Sequence, residues 1–225
     1  GDDCNSMGKA DAWVWIGPIP AMTGDAPVRH AATIILWRNA VRGVEVLMGQ
    51  RGHSAVFMPS KFVFPGGAVD DQDANLALGG SFSDLCFSRL CARVGPQAPA
   101  PLTLANAAIR EMDEETGLKI LPSPDPNLRF IFRAITPPRR PRRFDARFFM
   151  VSADQVYGDM TGFAGASNEL SQLQWIDVTA ARALDLPFIT EVVLAEVDAL
   201  VKGQEQQGVP FFDNSTDTPT FRRIV

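Results

Sequence analysis

Cysteine, histidine and long apolar runs are what this sequence has least of. Its 225 residues hold three cysteines, Cys4, Cys86 and Cys91. The number is odd and no Cys-x-x-Cys pair occurs, so neither a disulfide framework nor a cysteine zinc site is indicated. The two histidines, His30 and His53, lie far apart in pattern, which argues against a histidine metal centre and a His-centred triad. No apolar stretch approaches the roughly 20 residues that span a bilayer, and no charged-then-apolar secretory start is visible. A reducing, cytoplasmic setting without membrane contact is the plain expectation. Net charge is −5, which argues against a general nucleic-acid binder. Repeats and low-complexity tracts are absent as well.

What is present suits one large globular domain with a core of its own: 46% apolar residues and a mean hydropathy near zero. Residues 1–28 form a polar, Pro/Gly-rich extension around Trp13-Val14-Trp15-Ile16. Arg29–Arg38 reads as the first strand and Val44–Gln50 as its partner. A loop covers Arg51–Ser60, and Phe62–Phe64 enters a Pro-Gly-Gly turn. The spacing then predicts a helix over Ser83–Val94, with Leu85, Leu90 and Val94 as its apolar stripe and Cys86 and Cys91 as packing residues. Strands are expected at Phe130–Thr136, Phe148–Val151 and, last, Leu173–Asp177. Helices follow at Thr179–Leu184 and from Pro187 to Lys202. Residues 203–225 read as a tail pinned by Phe211, Phe212 and Phe221.

The chemistry concentrates in Arg110-Glu111-Met112-Asp113-Glu114-Glu115-Thr116-Gly117-Leu118. Glu111, Glu114 and Glu115 stand at i, i+3 and i+4, on one face of a helix. Three carboxylates on one face repel, so the helix calls for a cation, and oxygen ligands favour Mg²⁺ or Mn²⁺. The plain alternative is a surface helix rich in glutamate. Thr103 is placed to cap the helix, and Gly117 to end it in the left-handed conformation. Ala108, Ile109 and Met112 would bind it to a sheet and leave the glutamate face open.

This stretch resembles the second half of the Nudix box, Arg-Glu-apolar-x-Glu-Glu-x-Gly-apolar, with every fixed position filled. The first half is recognisable as Phe64-Pro65-Gly66-Gly67-Ala68-Val69-Asp70, and Asp73 stands where the family usually has Glu. Between Asp73 and Arg110 lie 36 residues, where the family pattern has seven; an insertion, residues 74–104, accounts for the difference. Phe57 to Asp70 and Arg143-Phe144-Asp145-Ala146-Arg147-Phe148-Phe149 resemble the peroxisomal-type coenzyme A diphosphatases, a Nudix branch that also carries a long insertion.

The resemblance implies an α/β fold, the Nudix-type α/β/α sandwich with a mixed sheet and a helical insertion, in residues 29–202. It implies Mg²⁺- or Mn²⁺-dependent hydrolysis of the diphosphate in a nucleoside diphosphate derivative, with coenzyme A or acyl-coenzyme A first. Nucleotide sugars, NADH or dinucleoside polyphosphates are alternatives, as is a non-catalytic nucleotide-binding module. Glu114 and Glu115 are then the principal metal ligands, Glu111 a ligand or the water-activating base, and Gly66 a carbonyl ligand. Arg110 would orient the glutamates. A further acidic residue is expected before the Trp175 strand, Glu169 ahead of Asp154. Arg139, Arg140, Arg142 and Arg143, four arginines in five residues, offer a phosphate clamp to which Arg51 is added; a solvated loop is the plain alternative. The partner is a small nucleotide, with homodimerisation open.

Overall fold

A computed structural model describes residues 26–52 and 59–225. Cys4, the Trp13–Ile16 run, His53 and Phe57-Met58 lie outside the described residues. Strand β1 (Val28–Ala40) is the longest, and the main sheet is assembled on both its edges. One edge pairs in parallel with β7 (Arg143–Ser152), from Val28 opposite Arg143 to Trp37 opposite Ser152. The other edge is shared. Residues 37–40 pair with β2 (Gly43–Arg51), while Ala31–Thr33 pair with β4 (Gly66–Ala68). Between the two, the Ile34 N–H donates to the Pro65 carbonyl at 2.9 Å. The Gly66-Gly67 turn is thereby set beside the middle of the sheet.

Outside β7 come β6 (Arg129–Ile135), β10 (Val209–Asp213) and β11 (Thr220–Ile224); β2 carries β3 (Phe62–Val63) and β9 (Leu170–Asp177). The β1–β7 and β6–β10 pairs are parallel and the rest antiparallel, so the sheet is mixed; β5 (Lys119–Ile120) and β8 (Val156–Tyr157) form a separate antiparallel pair. Alternation along β1 divides the core between two faces. Ala32, Ile34 and Leu36 pack toward helices α1 (Asp84–Cys91) and α2 (Pro101–Thr116). Ile35 packs with Val46 and Met48 toward α3 (Val178–Ala181) and α4 (Phe188–Val201). The result is the expected α/β/α sandwich with a mixed sheet.

The differences have local causes. Helix α2 begins at Pro101, before the expected Thr103 cap, because proline at the first helical position loses no hydrogen bond and has φ preset. Helix α1 turns Cys86 and Leu90 inward and leaves Leu85 57% exposed, so the buried stripe runs one residue off the Leu85 register. Residues 203–225 are more than a tail. Strands β10 and β11 extend the sheet beyond β6, with Val209, Phe211 and Ile224 in the core. The expected last strand starts at Leu170 and is followed by those two.

Candidate functional site

Helix α2 is held rotationally by Leu104, Ala105, Ala108, Ile109 and Met112, all buried in the core it shares with β1. Its end is set by Gly117, at φ 73°, whose N–H donates to the Asp113 carbonyl at 2.7 Å. Glu115 is consequently swung under the Gly66-Gly67 turn, 1% exposed, and accepts the Gly66 N–H at 2.8 Å. The two glycines are required for separate reasons. A Cβ on Gly66, at φ 157°, would stand 2.6 Å from the Ala32 carbonyl oxygen. On Gly67 it would overlap the Glu111 carboxylate. The turn thus presents bare backbone to the Glu111 and Glu115 side chains of the motif helix. Glu114 projects outward, its side chain 55% exposed.

Arg110 is the brace of this arrangement. It grips fully buried Asp73 with Nε at 2.8 Å and Nη2 at 3.1 Å, and donates to the Ala68 carbonyl at 3.1 Å. Its Nη1 reaches Glu111 at 2.9 Å and Glu114 at 3.2 Å. The Asp73 hydrogen bonds raise its pKa further above the ordinary value. Asp73, the shorter carboxylate in the glutamate position, also accepts the Asp70 N–H at 2.8 Å, closing the turn on itself.

Negative charge outweighs positive at the turn. Burial lifts the Glu111 carboxyl above its usual range, with Arg110 opposing and Glu114 and Glu169 adding to the rise. Burial pushes Glu115 up to about 8, against the Gly66 N–H that favours its anion. Glu111 and Glu169 push it higher, and Arg51 pulls it down. Arg51, at the end of β2, places Nη2 3.5 Å from the Gly66 carbonyl oxygen. Glu169 is exposed and immediately precedes β9.

Among the described residues no three His, Cys, Asp or Glu side chains converge tightly enough to hold an ion as they stand. The chemistry of the donors nevertheless fits a hard dication. Glu111, Glu114, Glu115 and Glu169 cluster around a backbone turn, and of the arginines beside them Arg110 is already engaged by Asp73. Two carboxyls held above their usual range are groups that gain by exchanging a proton for a metal.

Arg110, Glu111, Glu114, Glu115, Gly66, Arg51 and Glu169 therefore gather at one place. The arginine loop does not join them as one unit. Arg139 is 82% exposed and ion-paired with Asp217 at 3.4 Å, Arg140 is half-buried, and Arg142 is exposed. Arg143 is corrected from clamp to brace. It is 6% exposed, and donates to the carbonyls of Thr136 and Asn214, both at 3.1 Å. As the first residue of β7 it faces into the sandwich, so its guanidinium ties the β10–β11 turn to the sheet.

Sequence reasoning missed the polar layer that follows Arg143 along β7. Asp145 accepts from Arg133 Nε and Nη2, both at 2.8 Å, and from Arg147 at 2.9 Å, with His30 Nδ1 at 3.6 Å. Burial alone would raise the Asp145 pKa, but its hydrogen bonds and the two arginines hold it below the ordinary range. Burial brings Arg147 down to about 10. The alternation Arg143, Asp145, Arg147 was the available signal, since three charges on one strand face need partners.

Comparison with known proteins finds similar sequences and folds. The family model of the NUDIX domain matches residues 99–197, starting just before α2 and so within the last residues of the insertion. A Caenorhabditis elegans protein named "Putative nudix hydrolase 7" is 31% identical over 160 residues, 66% of this chain and 51% of its own. The chain thus spans about half the length of that curated relative. The crystal structure of a NUDIX hydrolase from Alicyclobacillus acidocaldarius superposes with a TM-score of 0.56 at 26% identity, over 76% of this chain and 90% of that one. A mutator MutT protein from Bacillus halodurans shares the fold, with a TM-score of 0.50 at 16% identity over 87% of this chain and 97% of that one.

Proposed function

We propose that this chain, which carries a Nudix domain, is a pyrophosphohydrolase that cleaves the diphosphate of a nucleoside diphosphate derivative with a divalent cation. The observation that carries the reading is the seating of Glu111 and Glu115 against the Gly66-Gly67 turn, braced by Arg110. Glu111, Glu114, Glu115 and Glu169, with the Gly66 carbonyl, would hold Mg²⁺ or Mn²⁺. The ion, when bound, supplies neutralisation of phosphoryl charge and acidification of a bound water.

The chain's own residues do the rest. Glu115, its pKa pushed up to about 8 by burial, is a group that would exchange its proton for a cation and would help to hold it. Arg110 fixes Glu111 and Glu114 from the side and leaves their remaining oxygens open. Glu111, part-buried on the helix face, is placed to receive a proton from the attacking water. That water forms a bond to one phosphorus, the bridging P–O bond breaks, and two monophosphates leave.

The favoured substrate is coenzyme A or its acyl forms. Support comes from the branch resemblance of Phe57 to Asp70 and of Arg143 to Phe149, and from the insertion between the two halves of the box. Coenzyme A carries a 3′-phosphate remote from the bond that breaks, and the exposed Arg139 and Arg142 could meet it. A panel of coenzyme A, acyl-coenzyme A, dephospho-coenzyme A, NADH, ADP-ribose and dinucleoside polyphosphates with Mg²⁺ tests the reading. Arg139→Ala with Arg142→Ala should lower kcat/KM on coenzyme A about tenfold, the worth of a charge-assisted hydrogen bond, and spare dephospho-coenzyme A. Equal losses on both substrates remove the 3′-phosphate from the account.

A further inference from the structure

The segment 158–169 meets the C-terminal end of α2 backbone to backbone. A Cβ on Gly117 would stand 2.7 Å from the Gly165 Cα, and one on Gly165 would stand 3.1 Å from the Gly117 Cα. Neither glycine has room for a side chain while the other keeps its place. Two residues on, the Ser167 N–H donates to the Glu114 carbonyl at 2.8 Å, one of the last carbonyls the helix cannot satisfy itself. The segment is also folded on itself. The Asp159 carboxylate accepts N–H groups from Thr161 at 3.1 Å, Gly162 at 2.8 Å and Ala164 at 3.3 Å. Phe163 is buried, and the Trp175 indole donates to the Met160 carbonyl at 2.9 Å. Glu169 follows Ser167 by two residues, close enough for its charge to act on both Glu111 and Glu115.

We propose that Gly165 and Ser167 are positioning residues. Their contacts with Gly117 and Glu114 hold the 158–169 segment in the register that delivers Glu169 to the glutamates of α2. The inference rests on reading those carboxylates as a cation site. Helix and loop then move as one body, because Glu114 offers its side chain to the site and its carbonyl to the loop. A side chain at position 165 would push the segment off the helix end and withdraw Glu169 without touching any ligand.

The test is calorimetric titration of Mn²⁺ alone into the full chain. Glu169→Gln, which removes a carboxylate from the site, and Gly165→Val, which removes its support, should each weaken Mn²⁺ binding by roughly tenfold. The double variant should bind no more weakly than Glu169→Gln, because both changes remove the same contribution. Gly165→Ala, whose methyl group at 3.1 Å needs the Gly117 backbone to give by a few tenths of an ångström, should show the same absorption at a smaller loss and serves if the valine variant fails to fold. Losses that add in the double variant, or an affinity unchanged by both substitutions at Gly165, overturn the proposal. An unaffected Glu169→Gln overturns it at its premise. Unchanged binding in Glu115→Gln is a separate result, which removes the cation site itself.

Discussion

Glu115 offers an unusual experiment, because its burial sets stability and chemistry against each other. Its carboxyl titrates near 8 in the fold, against 4.5 ordinarily. Between those values the folded chain holds a proton that the unfolded chain has lost. Stability contributed by this group is therefore full below about 4.5 and is lost as pH rises through about 8. At about 1.4 kcal/mol per pH unit the loss amounts to roughly 5 kcal/mol. Glu115→Gln removes the titration, keeps the volume and can still accept the Gly66 N–H that the carboxylate accepts at 2.8 Å. In metal-free protein with EDTA, urea unfolding at pH 5 should find the two chains within about 1 kcal/mol. At pH 9 the variant should be the more stable by several kcal/mol, although it is the less active enzyme. A difference independent of pH, or a wild type more stable at pH 9, would refute the buried, proton-holding Glu115.

Other perturbations test the frame around it. Arg110→Met strands Asp73, which is 0% exposed, without its bidentate partner; denaturant unfolding should show a loss of about 3–5 kcal/mol, largely restored by adding Asp73→Asn. Gly67→Ala places a methyl group where the Glu111 carboxylate now lies, so turnover should fall at least about 100-fold, since misplacement of about 1 Å costs that much, while circular dichroism stays native. Leu90→Ala, in the insertion helix but 4% exposed within the core, should cost about 2–5 kcal/mol in chemical denaturation; a cost near zero would show that the insertion is a spacer.

The motif helix was legible from sequence because its evidence is local. The i, i+3, i+4 glutamates, the apolar residues behind them and Gly117 all act within one element, and the helix carries them as expected. Partners set by strand register were not legible. Arg143, in a run of four arginines, looks like part of a solvated cluster until β7 is seen to begin there and turn it inward. The Asp145 layer likewise needs β6 and β1 placed on either side of β7 before His30, Arg133 and Arg147 meet. Phe211 signalled that residues 203–225 are anchored, but nothing local showed that the anchorage is a parallel pairing with β6. The Gly117–Gly165 contact joins positions 48 apart, and a glycine pair leaves no side chain by which to announce it.

The most direct measurement is release of two monophosphates from a diphosphate substrate, in H₂¹⁸O, by the wild-type chain and Glu115→Gln. With Mg²⁺ or Mn²⁺ the wild type should cleave at least one member of the substrate panel and place the label in one product only. EDTA should abolish the reaction, and Glu115→Gln, folded and stable, should be slower by at least about 100-fold, the scale at which a site residue acts. A wild type that cleaves no member of the panel would contradict the account, and so would a Glu115→Gln that keeps a tenth of the rate at saturating Mg²⁺.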